Sequence, residues 1–540
     1  MFIDARQVPS GAVVEADIAI VGGGAAGISL ALELTSTGLT VVLLESGDIE
    51  FNWPNQSLYT GANVGLPYYA LDFCQLRYLG GSTNGWGGFC RPLDPIDFEP
   101  RPWVEHSGWP FAKTELAPFY RRAHEICQIA SDDYDLERVA SALGYPCAKR
   151  PAFDPAWLET SIYRISPPTR FGQVYREALR RADYLRCYLN ANVLAIKTDS
   201  VARNVTRLAV GTLSGVRFEV AAKYYALTAG GIENARLLLL SNDVAVNGLG
   251  NQHDLVGRYF MEHPHTQRAL IVPTRRFASG LYDEPSPGTV ACARVSLPPE
   301  LQRREGLLNY SANIHRVYFG HDSEGWLALR RLVVSLSRSN KRRTDPFIRL
   351  PPYGRKGLSM RQFYDMARQI DRVTIAALLR FFQPDRFITG FVLESKPEQA
   401  PNPRSRVTLD EKRDAFGLRR VKLDWRMLPI DRRTAVRGEE IVGAELLRLG
   451  IGSTAPLPPA EIEGWPGNLH GGWHQLGLTR MHTDAKHGVV DANGLVHGMS
   501  NLFIAGGSVF PTVGAAPPTL TIVALALRLA NHLKEMTART

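Results

Sequence analysis

Hydrophobic and polar residues along the chain fall into a few strong patterns. DIAIVGGG (17–24) is an apolar run that stops on three glycines. AAGISLALELTSTG (25–38) has helical spacing, and LTVVLLESG (39–47) is apolar again. The order reads strand, glycine turn, helix, strand, with strands apolar enough to lie buried between two layers. Farther on, CYLNANVLAIKTD (187–199), VTRLAVGTLSG (205–215) and VRFEVAAKYYALTAGG (216–231) read as strands joined by turns, a small meander. A helical stretch, ENARLLLLS (233–241), follows. MRQFYDMARQIDRVTIAALLRFF (360–382) is amphipathic and reads as helix covering a core, the alternative being a surface for a membrane or partner protein. Near the end VGAAPPTLT (513–521) is a stiff loop. Pro517 is held extended by the proline after it, and Pro518 suits the first turn of the helix TIVALALRLA (521–530).

The glycines Gly22, Gly24 and Gly27 form G-x-G-x-x-G between the two strands. The first permits the tight turn, the second lets backbone approach a pyrophosphate, and the third lets helix pack on strand. Glu45 ends the second strand, 21 residues after Gly24, where it can accept hydrogen bonds from a ribose. This predicts a dinucleotide site. The meander that interrupts the nucleotide fold points to FAD rather than a nicotinamide cofactor, in the manner of the glutathione-reductase-like flavoproteins.

Composition narrows the class. The 540 residues are 45% hydrophobic and 21% charged, ordinary for a globular protein of two or more domains. The formal charge of +9 is scattered, with its densest cluster at RSNKRR (338–343). It lacks the basic stripe and aromatic partners of a nucleic-acid binder, although it favours anionic substrates or surfaces. The six cysteines form no C-x-x-C motif, no disulfide framework and no metal-ligand spacing, so no metal is expected and a reducing, cytoplasmic location fits. The N-terminus lacks signal-peptide character, and no apolar run is long enough for a membrane span.

Several stretches in order resemble the glucose–methanol–choline (GMC) oxidoreductases, closest to bacterial alcohol and sugar dehydrogenases. They are GGSTNGWGG (80–88), GGIENARLLLLS (230–241), GRYFMEHPH (257–265), EQAPNPRSRVTL (398–409), GGWHQLGLTRMHTD (471–484) and the segment from Asn501 to Leu533. The resemblance implies a mixed α/β fold: a Rossmann-type FAD domain from 1–100, 185–262 and 468–540, and a sheet-based substrate domain from 101–184 and 263–467. It implies that Gly81, Ser82, Thr83, Asn84, Val193, Gly507, Ser508, Pro518 and Thr519 contact FAD. Some relatives carry a flavin-linked histidine where this chain has Gly85, so non-covalent FAD is expected.

The same resemblance makes His474 the base that takes a substrate hydroxyl proton, with Leu478 replacing the usual threonine of its motif. His470 is a second candidate, and His263 and His265 read as structural support at the domain junction. The family's second catalytic residue, histidine or asparagine, falls on Pro517, which has no side-chain donor, acceptor or titratable group. The expected reaction is oxidation of a CH–OH group in an alcohol, polyol or sugar-like small molecule. Oxygen, a quinone or a separate electron-transfer protein would reoxidise the flavin. The alternative is non-standard flavin chemistry, a lyase, isomerase or tailoring step, because of Pro517.

Overall fold

A computed structural model describes residues 1–275, 277, 279–283, 288–318, 323, 325–326, 328–329, 332, 360–382, 387–456, 461–462 and 464–538. The RSNKRR cluster lies outside them. Among the described residues, two large sheets face one another across a cavity, and the elements around them have the α/β character expected.

The first sheet has eight strands. Val13–Val21, Val41–Leu44, Leu185–Leu189 and Phe2–Asp4 run parallel on one side of Arg217–Leu227. That long strand divides its other edge. Its first half pairs antiparallel with Val205–Gly211, and its last residues pair parallel with Leu502–Ile504. The meander is thus present, but its first predicted strand is two. The chain turns at Asn190, where φ is 58°, a left-handed conformation that asparagine tolerates. Leu185–Leu189 then stays in the parallel sheet while Asn192–Thr198 pairs with Val205–Gly211.

The helix Ala25–Leu34 follows the glycine turn, and Thr519–Ala538 packs against it and against Lys113–Ile126. Leu520, Val523, Ala524 and Leu527, at helical spacing, are buried in that contact. Leu520, Val523 and Leu527 each contribute about 1.5–3 kcal/mol by leaving water.

The second sheet is antiparallel, in the order Gly452–Pro456, Thr266–Pro273, Ile388–Pro397, Tyr310–Tyr318, Ala291–Ser296, Glu159–Ile165, Phe89–Cys90. Strand alternation gives it two different faces. Ala293, Val295, Tyr310, Ala312, Ile314, Phe391 and Leu393 point into a hydrophobic core, onto which Pro429–Arg448 packs. Arg294, Asn313, His315, Glu394 and Lys396 point the other way, into the cavity. A third sheet joins Ala62–Asn63 to Arg406–Arg413 and Arg419–Asp424, so segments from both sequence-assigned domains share it. The amphipathic stretch forms two helices, Met360–Arg368 and Ile370–Phe382; Val373 and Ala376 pack with Trp326. No described helix is long and apolar enough to cross a membrane.

Candidate active site

The cavity between the sheets measures about 1820 Å³. At one end it is built by the glycine turn. Gly22 has a φ of 107°, and a Cβ there would lie 2.7 Å from Ala229 Cα. At Gly27 a Cβ would fall 1.9 Å from Gly22 O, so only glycine allows this helix to sit this close to its strand. Gly24 is different: a Cβ would meet nothing within 4 Å. The space in front of it lies at the N-terminus of a ten-residue helix, whose free N–H groups and dipole suit a pyrophosphate. Glu45 accepts from Gly23 N at 2.8 Å and Gly47 N at 2.7 Å and lines the cavity, with lone pairs left for hydroxyl donors. These residues fit FAD.

Midway along the cavity, His474 and His263 meet. Their Nδ1 atoms are 2.8 Å apart, and His263 Nε2 lies 2.9 Å from the carbonyl oxygen of Gly514. A carbonyl only accepts, so His263 carries its proton on Nε2. Burial pushes the His263 pKa down to about 4, against the raising effect of that carbonyl, so the ring is neutral and Nδ1 is bare. His474 therefore donates Nδ1–H to it, and its own Nε2 is left with a free lone pair. Burial, then the neighbouring His263 ring and the positive charges of Arg294 and Lys396, hold His474 well below the ordinary imidazole value. Among the described residues Nε2 has no hydrogen-bond partner, and His474 lines the cavity.

Both histidines hang from one carboxyl group. Glu262 is fully buried; its Oε2 accepts from His263 N at 3.1 Å and Gly472 N at 3.0 Å, and Tyr68 Oη donates to Oε1. Burial raises the Glu262 pKa to about 8 despite these donors.

The wall from the second sheet is polar. His315 bridges Asp283, at 3.2 Å, and Glu394, at 3.0 Å. Burial alone would depress its pKa, but the two carboxylates outweigh it and raise the value to about 9. Lys396 Nζ lies 2.7 Å from Glu394 Oε2. His265, Glu394 and His470 offer ligand atoms within 4.8 Å of one another. Lys396 and the cationic His315 already neutralise Glu394, so this trio lacks the free negative charge a metal ion needs.

The structure gathers most of the sequence-predicted residues on one cavity: Gly22, Gly24, Glu45, Gly81, Ser82, Thr83, Val193, His470, His474, Gly507, Pro518 and Thr519. Gly27, Asn84 and Ser508 stand behind its wall. Asn84 Nδ2 donates to Leu79 O at 2.9 Å, and Ser508 Oγ accepts from Asn234 Nδ2 at 3.1 Å, so both brace turns. His470 pairs with His265, ring centroids 5.1 Å apart. His263, read from the sequence as structural support, is instead the partner of His474. Pro517 lines the cavity, and its loop contributes the Gly514 carbonyl.

Known proteins resemble this chain in sequence and in fold. The family profile described as FAD dependent oxidoreductase matches residues 17–338, and the one described as GMC oxidoreductase matches residues 401–526. The 2-methyl-1,2-propanediol dehydrogenase of Mycolicibacterium austroafricanum is 24% identical, over 96% of this chain and 95% of its own. The fructose dehydrogenase large subunit of Gluconobacter japonicus is 24% identical, over 97% and 98%. The fold is shared with a fungal aryl-alcohol oxidase, at a TM-score of 0.56 and 16% identity, covering 97% of this chain and 99% of that one. It is also shared with pyridoxine 4-oxidase from Mesorbium loti, at a TM-score of 0.54 and 16% identity, over 96% and 98%.

Proposed function

The chain belongs to the FAD-dependent oxidoreductases and, within them, to the GMC oxidoreductases, and on that premise we propose that it oxidises a CH–OH group of an alcohol, polyol or sugar-like substrate with His474 as the base. The observation that carries this reading is the run from Gly514 O through His263 to His474, which leaves one imidazole nitrogen bare and facing the cavity. Bound FAD supplies a two-electron acceptor for the hydride that leaves the substrate carbon. His474 Nε2 takes the hydroxyl proton. His263 fixes the tautomer and ring plane of His474, and Glu262 holds the backbone from which both project. The polar strand wall offers donors and acceptors for further hydroxyls, as a polyol or sugar needs.

The FAD is held non-covalently, since the loop 80–88 contains no histidine. Oxygen, a quinone or a separate electron-transfer protein reoxidises it, and the unpaired cysteines accord with a reducing cytoplasmic setting. The test is anaerobic bleaching of the flavin by a panel of alcohols and polyols, comparing the parent with His474→Ala. The variant should keep its flavin and reduce it roughly 10²–10⁴ more slowly. Equal rates would remove His474 from the role. Flavin that stays with acid-precipitated protein would refute non-covalent binding.

A further inference from the structure

Arg294 stands out on the polar wall. It is 4% exposed, yet among the described residues it has no carboxylate partner. Among the described residues its Nε makes no hydrogen bond, and the one side-chain bond it makes runs from Nη1 to Ser311 Oγ at 3.5 Å, the outer limit of such contacts. Every other cation on this wall is matched: Lys396 by Glu394, and His315 by Asp283 and Glu394. A buried guanidinium without a counter-ion is expensive by several kcal/mol. The cost is partly offset by two rings: Arg294 Cζ lies 4.2 Å from the centroid of Tyr163 and 5.3 Å from that of Phe89. Those rings also fix the plane of the guanidinium, which lines the cavity.

Its place relative to the base follows from contacts. Tyr163, on which Arg294 lies, donates through Oη to Ala515 O at 3.5 Å. Ala515 follows Gly514, whose carbonyl holds His263 against His474. Arg294 is thus linked through Tyr163 to the loop whose Gly514 carbonyl holds the two histidines, from the substrate-sheet side. A planar, rigid, unpaired double donor is the group that recognises a carboxylate. A transient alkoxide would leave the charge uncompensated in every other state of the enzyme. A permanently anionic substrate removes the penalty on binding.

We propose that the substrate is a hydroxy acid, whose carboxylate pairs with Arg294 while its CH–OH group faces His474. This rests on the alcohol-oxidation reading above. The carbon loses a hydride to FAD and the hydroxyl loses its proton to His474, so the substrate gives up two electrons and leaves as the corresponding keto acid.

The test uses the oxidised holoenzyme and matched pairs: gluconate against glucitol, and lactate against 1,2-propanediol. Binding is read from the flavin difference spectrum and by calorimetry, and reduction is then followed anaerobically. At least one acid should bind about tenfold or more tightly than its neutral partner. Arg294→Gln should bring that ratio close to one with flavin content unchanged, and Arg294→Lys should restore part of it. If no acid is preferred by the parent, or if the preference survives Arg294→Gln, the proposal is overturned. If Arg294→Gln does not fold, the parent ratio and Arg294→Lys decide in the same way. Acids that bind through Arg294 without bleaching the flavin support the anion site and count against alcohol oxidation. Neutral polyols that bleach it with no acid preference do the reverse.

Discussion

Removing His263 separates positioning from proton transfer. In His263→Ala the Gly514 carbonyl and His474 Nδ1–H each lose their partner. A buried polar group left unmade costs about 1–3 kcal/mol. If one to two tenfold steps of that reach the barrier, at about 1.4 kcal/mol per tenfold, flavin reduction slows roughly 10- to 100-fold. That is less than the loss of His474 itself, because the base remains. The pH profile carries the sharper sign. A base must be neutral to act, so reduction fails as pH falls through the His474 pKa. In the parent that limb lies well below the ordinary imidazole value, through burial and then through His263. Taking away His263 admits water and relieves the burial that keeps His474 neutral, so the limb moves up toward ~6.5. His263→Asn, which can donate to Gly514 O and accept from Nδ1–H, should recover part of the rate and of the shift. Stopped-flow reduction across pH 4–8 measures both (roughly the span between the His263 and free-imidazole values). If His263→Ala keeps the parent rate and limb while His474→Ala is slow, the relay is wrong.

Gly24→Val should fold, because the position has open space and ordinary backbone, yet lose FAD; a yellow, flavin-replete variant would show that the cradle lies elsewhere. Pro517→Ala should cost roughly 0.4–1 kcal/mol of stability in a denaturant titration and slow flavin reduction less than tenfold, since the loop acts through the Gly514 carbonyl. Stability should also depend on pH in two opposite senses. His315, raised to about 9, stabilises fully below ~6.5 and loses that contribution as pH rises through 9, a ceiling of roughly 3 kcal/mol. His263, lowered to about 4, contributes stability above ~6.5 that fades as pH falls toward 4. His315→Gln should therefore flatten the alkaline side of the stability profile and leave the acid side in place; an unchanged alkaline slope would refute the assignment.

The parts of this site that the sequence displays are those whose physics is local. Gly22, Gly24, Gly27 and Glu45 lie within one βαβ unit, so their spacing alone encodes the turn, the cradle and the close packing that the fold shows. His474 is visible through the residues around it. His263 is not, because its role depends on a partner 211 positions away, and nothing in MEHPH distinguishes a relay histidine from a packing one. Arg294, His315 and Glu394 sit at alternate positions of strands whose other residues are apolar, so a polar face is implied, but which cavity that face meets depends on the packing of two sheets. The proline loop is the harder case. Judged by side chains, Pro517 removes a catalytic group. Judged by backbone, the loop delivers a carbonyl that any residue at position 514 would carry, provided the chain can adopt its φ of 57° and lie against Asp97, where a Cβ would come within 2.4 Å of Oδ2. Glycine meets both conditions. A contribution made by the main chain leaves no trace in residue type except this requirement for glycine, which is why the lost side chain was legible and the carbonyl beside it was not.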